Sequence, residues 1–102
     1  MAKIVALYKK PANVAAFDSY YFSTHVPKAK KLPGLRRYEV SSGPVTSAQG
    51  DSPYHLVAVL GFDSLASIQA ALGSPDGKAV ADDLAEFAQA GVELLMFDSK
   101  EV

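Results

Sequence analysis

The sequence predicts an α+β domain of β-α-β-β-α-β order, and three observations carry that prediction. Apolar, β-favouring runs occur four times, at 2–9, 35–42, 54–62 and 92–97. Apolar residues at helical spacing lie between the first and second runs (Phe17, Tyr21) and between the third and fourth (Val80, Leu84, Phe87). The 102 residues are enough for one core, a single domain over 1–102, and they divide into two similar strand-helix-strand halves. This is the ferredoxin-like arrangement, a four-stranded antiparallel sheet with helices on one face.

Each element has its own punctuation. After the first strand, Pro11 marks a turn and Asn13 is placed to cap a helix running from 14 to about 24. Pro27 lacks an N–H and disfavours helical angles at Val26, so a break or kink is expected there, with a short helical piece over 27–31 beyond it. Pro33-Gly34 stops that piece, and strand two follows over 35–42. Residues 43–53, rich in Gly, Pro, Ser, Thr and Asp, read as a surface loop before the third strand. Asp63 is expected to cap a helix bearing Leu65, Ile68 and Leu72. Ser74 is expected to cap a second helix, from Pro75 to about 90. Gly91 ends it ahead of the last strand.

The strands carry a second message. Residues 54–62 and 92–97 place apolar side chains on both faces, whereas a sheet with one wet face alternates apolar with polar. Helices cover one face only. A second copy packed sheet to sheet would cover the other, predicting a dimeric α+β barrel with a cavity between the two sheets. Composition bounds the function: a net charge of −1 leaves no electrostatic footprint for nucleic acid. The absence of cysteine removes disulfides, thiolate metal sites and Cys nucleophiles. No secretory leader, membrane span, phosphate loop or metal-ligand spacing is present, so a cytoplasmic protein with no nucleic-acid or membrane partner is expected.

Chemistry centres on two histidines, His25 and His55. His25 falls near a helix C-terminus, where the macrodipole favours its protonated form. A neutral imidazole facing a cavity would be a general base, and a purely structural His25 would cap the carbonyls freed by Pro27. Tyr38 shares a strand face with Arg36 and Val40, and His55 shares one with Val57 and Val59. In an apolar cavity Tyr38 and His55 would orient a carbonyl oxygen or stabilise an enolate; otherwise they are buried groups satisfied by backbone. Tyr20 and Tyr21 point in different directions, and Tyr21 lies one helical turn from His25. One of the two belongs to the core and the other edges the pocket. Lys28, Lys30, Lys31, Arg36 and Arg37 form a modest basic cluster, read as a solvated face offset by Asp82, Asp83 and Glu86.

The segments 17–27 (FDSYYFSTHVP), 33–38 (PGLRRY), 53–58 (PYHLVA) and 62–77 (FDSLASIQAALGSPDG) resemble the EthD family, named for the degradation of ethyl tert-butyl ether. The resemblance covers almost the whole chain, in order. It implies a dimeric α/β-barrel, and thus a homodimer, and it associates the chain with a cytochrome P450 degradation system that requires its EthD component. Proteins similar to the family include a methylmuconolactone methylisomerase and small polyketide-modifying enzymes; the wider superfamily holds cofactor-free monooxygenases and haem-binding members. In the methylisomerase branch, polar residues at positions like His25, Tyr38 and His55 line the site together with a cysteine, which this chain lacks. The expected function is binding of a small apolar organic molecule in the barrel cavity. Tyr20, Tyr21, Tyr38 and His55 would contact it, and His25 would be the acid/base of an isomerase, cyclase or cofactor-free oxygenase. The alternatives are a non-catalytic accessory or carrier for an oxygenase system, or a haem-binding relative.

Overall fold

The computed structural model describes all 102 residues. Strand β1 (Ala2–Lys9) leads into a helical stretch made of α1 (Val14–Tyr20), a π-helical turn (Tyr21–His25) and α2 (Val26–Ala29). Strand β2 (Arg37–Val40), a small hairpin β3 (Thr46–Ser47) and β4 (Gly50–Asp51), and strand β5 (Tyr54–Phe62) follow. Helices α3 (Leu65–Gly73) and α4 (Pro75–Phe87) then precede strand β6 (Val92–Asp98). The main sheet has the order β2-β5-β1-β6, antiparallel throughout, which is the ferredoxin-like α+β fold.

Alternation along the strands decides the layers. Ala2, Ile4, Ala6 and Tyr8 of β1 pair with Phe62, Leu60, Ala58 and Leu56 of β5, and all eight are buried beneath the helices. Phe17, Tyr21, Ile68, Ala71 and Phe87 close on them from the helical side. The opposite face carries Val5, Leu7, Val57, Val59, Leu95 and Phe97 in register, with no element of this chain over it. Leu95 and Phe97 are 53% and 43% exposed there. No helix is long and apolar enough to cross a membrane.

Four local expectations are corrected. The helix does not break at Pro27; it widens into the π turn and continues to Ala29. Ser64, not Asp63, caps α3, accepting from the Ser67 N–H at 3.1 Å, because Asp63 is engaged by Arg36 at 3.0 Å. Strand β2 is shorter than its apolar run, the 43–53 loop contains the small hairpin, and α4 ends at Phe87. The fourth correction matters most for function. A bulge shifts the β1–β5 register so that Tyr8 faces Leu56 but Lys9 faces Tyr54. His55 is the extra residue, and the bulge turns it off the face of Val57 and Val59 toward α1.

Helices α3 and α4 meet at a tight corner. Asn13 caps α1 and Ser74 caps α4, the latter accepting the Gly77 N–H at 3.1 Å. A Cβ on Gly77 would sit 2.1 Å from the Ala71 carbonyl oxygen and 2.7 Å from Leu72 Cα, both backbone atoms that cannot swing aside. A helical Gly→Ala change ordinarily stabilises by up to about 1 kcal/mol. Here overpacking reverses the sign, and Gly77→Ala is expected to cost about 3 kcal/mol and lower Tm by roughly 10 °C or more in thermal unfolding followed by circular dichroism.

Candidate functional site

The π turn sets the geometry of the site. In an α-helical register the Pro27 ring would crowd the Ser23 carbonyl, and its missing N–H would leave a gap in the ladder. Widening lets the Val26 N–H reach the Tyr21 carbonyl five residues back, while the Ser23 hydroxyl donates to the Ser19 carbonyl at 2.6 Å. The turn keeps both Tyr21 (0% exposed) and His25 (3%) on the inner side, with ring centroids 5.4 Å apart.

Asp83 meets His25 from α4. Its position three residues after Val80 and four before Phe87 puts it on the buried stripe of that helix, and its side chain is 1% exposed. His25 Nδ1 lies 2.9 Å from Asp83 Oδ2, while the Tyr20 hydroxyl (2.6 Å) and Lys28 Nζ (3.0 Å) both donate to Oδ1. Burial on its own would raise the Asp83 pKa; hydrogen bonds from Tyr20, His25 and Lys28 together outweigh it and hold the carboxyl below its ordinary range. Burial also pushes the His25 pKa down, against the pull of Asp83. His25 is therefore neutral near pH 7, and a carboxylate can only accept, so the ring proton sits on Nδ1. Nε2 is left as an acceptor with no protein hydrogen bond, and it is not sealed from the adjacent cavity.

That cavity, about 70 Å³, lies between the sheet and the helices of one chain. It is distinct from the space between two sheets that the sequence led one to expect; the inward residues of β1 and β5 line this one on the helix side. Ile4, Leu60, Leu84 and Leu94 contribute an apolar lining, and the polar groups are His25, Tyr8, Tyr21 and Tyr38. The Tyr21 and Tyr38 hydroxyls are 2.7 Å apart. Burial raises the pKa of Tyr8, Tyr21 and Tyr38, so all three stay protonated donors at neutral pH.

Of the five residues picked from sequence, three converge here: His25, Tyr21 and Tyr38. Tyr20 does not line the cavity; its ring stacks on Phe87 at 5.5 Å, and its hydroxyl, pushed up to about 12 by the bond to Asp83, backs the imidazole from behind. His55 is elsewhere. Its Nε2 is 2.7 Å from Asp18 Oδ1, its ring stands edge-on to Phe17 at 5.2 Å, and it lines an open groove of about 710 Å³. The basic cluster dissolves into separate pairs, Lys28 with Asp83, Arg36 with Asp63 and Arg37 with Glu39. Sequence reasoning missed Asp83 and Tyr8. Both carried a signal: Asp83 falls on the Val80, Leu84, Phe87 stripe, and Tyr8 ends the buried alternation of β1. No cluster of three or more His, Cys, Asp or Glu side chains is placed to hold a metal ion.

These features define a ferredoxin-like α+β protein with a small, mainly apolar cavity between its layers. The chain belongs to the EthD family: the family model described as the EthD domain matches residues 9–91. An uncharacterized 11.0 kDa protein in the thcB-thcC intergenic region of Rhodococcus erythropolis is 37% identical over 103 residues, covering 100% of this chain and 98% of that protein. The crystal structure of an EthD family protein from Bacillus halodurans C-125 aligns with TM-score 0.89 at 36% identity, over 98% of this chain and 99% of that one. Two remoter structures share the fold. SnoaB of Streptomyces nogalater, described as a cofactor-independent oxygenase, aligns with TM-score 0.69 at 19% identity over 99% and 94% of the two chains. A protein of Thermobifida fusca described as dimeric and ferredoxin-like aligns with TM-score 0.69 at 16% identity over 94% and 88%.

The His25–Asp83 pair makes stability depend on pH with a defined sign. Folded His25 binds its proton more weakly than the ordinary value of 6.5, so below that pH the unfolded chain takes up more protons and stability falls. Asp83, held below its ordinary 3.8, adds a further loss in the same direction at lower pH. In an NMR titration the His25 midpoint is expected below 6.5, and Asp83→Asn should move it lower still, because the charge that holds the proton is gone. The same variant is expected to lose roughly 2 kcal/mol of stability in urea unfolding.

Proposed function

We propose that this chain is a cofactor-independent acid/base enzyme for a small, mainly apolar organic molecule bearing a carbonyl or phenolic oxygen. The observation that supports it is His25 Nε2: a neutral imidazole acceptor without a protein partner, opening on an apolar cavity that also holds three protonated phenols. In this reading Nε2 removes a proton from a C–H or O–H acid, and Asp83 stabilises the imidazolium that forms. Of the mutually bonded Tyr21–Tyr38 pair, the hydroxyl whose proton is not used in that bond donates to the oxygen on which negative charge develops, in a site with a mainly apolar lining. Returning the proton to another carbon gives an isomerase. Adding the carbanion to a second carbonyl gives a cyclase, and passing its electrons to dioxygen gives an oxygenase. The likeness to a cofactor-independent oxygenase is one of fold and sits comfortably with the last of these.

The acting unit is a homodimer. The uncovered face of Val5, Leu7, Val57, Val59, Leu95 and Phe97 supports this, as does the dimeric description of a protein of the same fold. Sedimentation equilibrium should return twice the 10.8 kDa chain mass, and Leu95→Glu with Phe97→Glu should return the single-chain mass.

The catalytic reading is tested by deuterium exchange at the methyl groups of acetone in D₂O. The wild-type protein should accelerate exchange over buffer, and His25→Ala, with its oligomeric mass unchanged, should lose at least about a hundredfold. Equal rates for the two proteins would sink the reading. Acetone binding without exchange in either would favour a carrier or accessory to an oxygenase.

A further inference from the structure

The cavity at His25 has chemistry without room, and the groove at His55 has room without that chemistry. A dry cavity needs on the order of 150 Å³ to admit one benzene-sized ring, and small-molecule pockets run to about 300–1,000 Å³. The His25 cavity is about 70 Å³ and the groove about 710 Å³.

The two spaces are neighbours on one sheet face. Val40 and Leu56 floor the groove; Tyr38 and Ala58, two residues along the same strands, floor the cavity. Two strand residues span about 7 Å, roughly the width of one ring. Tyr21 and Tyr38, whose hydroxyls are 2.7 Å apart, both line the cavity, and Tyr38 is two residues from Val40 of the groove. Tyr21 belongs to the π turn, and its neighbour Phe22, 51% exposed, lines the groove edge-on to the Tyr21 ring at 5.2 Å.

We propose that groove and cavity are two halves of one binding site, divided by the Tyr21–Tyr38 hydrogen bond, and that its ligand is an elongated molecule with a mainly apolar end that bears the carbonyl or phenolic oxygen and a second, hydrogen-bonding end. The mainly apolar end passes the parted tyrosines to bring its oxygen to them and its acidic proton to His25, and the second end stays at the His55–Asp18 pair near Lys10. The groove offers that end a half-exposed imidazole–carboxylate pair, 2.7 Å between heavy atoms, with Lys10 on the same lining. This rests on the reading of His25 as the group that meets the substrate, and it extends that reading by naming the shape of the ligand.

The chain has two histidines, so its Hε1 spectrum reports both halves at once. Titration with 2-naphthoate at fixed pH is expected to shift the His25 and His55 signals together, with one shared Kd. Tyr21→Phe, or Tyr38→Phe if the first is poorly folded, should tighten that Kd by about fivefold, the factor that one net hydrogen bond represents. A shift of His55 alone, of His25 alone through the Leu94 side, of both with separate Kd values, or of neither overturns the proposal. Acetone exchange that fails to depend on His25, beside a shared naphthoate Kd, would instead remove the catalytic reading and leave the two-part site standing.

Discussion

A carboxylate buried between two helical segments is the constraint around which the rest of this structure is arranged. Taking Asp83 out of water costs several kcal/mol unless its oxygens are hydrogen-bonded, and the fold supplies three partners from a single helical stretch. Tyr20, His25 and Lys28 come from α1, the π turn and α2, so one side chain fixes how all three pack on α4. Removing Asp83 alone would strand Tyr20, His25 and Lys28; only the exchange of the whole network for well-packed apolar residues would be neutral for stability. What Asp83 adds is orientation: with Nδ1 tied to it, the imidazole has one available nitrogen and one direction in which to present it.

The proline explains why this is possible without breaking the helix. Tyr21 and His25 lie four residues apart, and the π turn that accommodates Pro27 carries both toward the core. A break at Val26 would have released Lys28 from the same frame, and with it the cationic partner that offsets the buried negative charge. The backbone irregularity and the polar network are thus two consequences of one residue.

The fold was legible because periodicity reports burial. Alternation in β1 and β5 and the Val80, Leu84, Phe87 stripe correspond directly to the layers, and the caps at Asn13 and Ser74 follow from side-chain oxygen chemistry that acts within three residues. The site was legible only in part. His25, Tyr21 and Tyr38 stood out by type and spacing, but His55 was misplaced because a one-residue bulge reverses which way a strand side chain points. No local pattern in 54–62 announces that bulge; it depends on pairing with β1, some fifty residues away. Asp83 was misread for the opposite reason. A charged residue amid Asp82 and Glu86 suggests a solvated face, and only its register on the helix betrays that it points inward.

The network also limits the chemistry that the site can perform. Burial makes His25 a weaker base than a free imidazole and the tyrosines weaker acids than free phenols. A weak base and weak donors suit a substrate whose proton is already somewhat acidic, since proton transfer works best between groups of matched affinity. The apolar lining then contributes by strengthening each remaining dipole rather than by supplying charge. Of the two charges close by, Lys28 opposes a charged imidazole and Asp83, behind the ring, favours it. With that arrangement the imidazole itself stays neutral, its lining is mainly apolar, and the charges of Asp83 and Lys28 offset each other behind it.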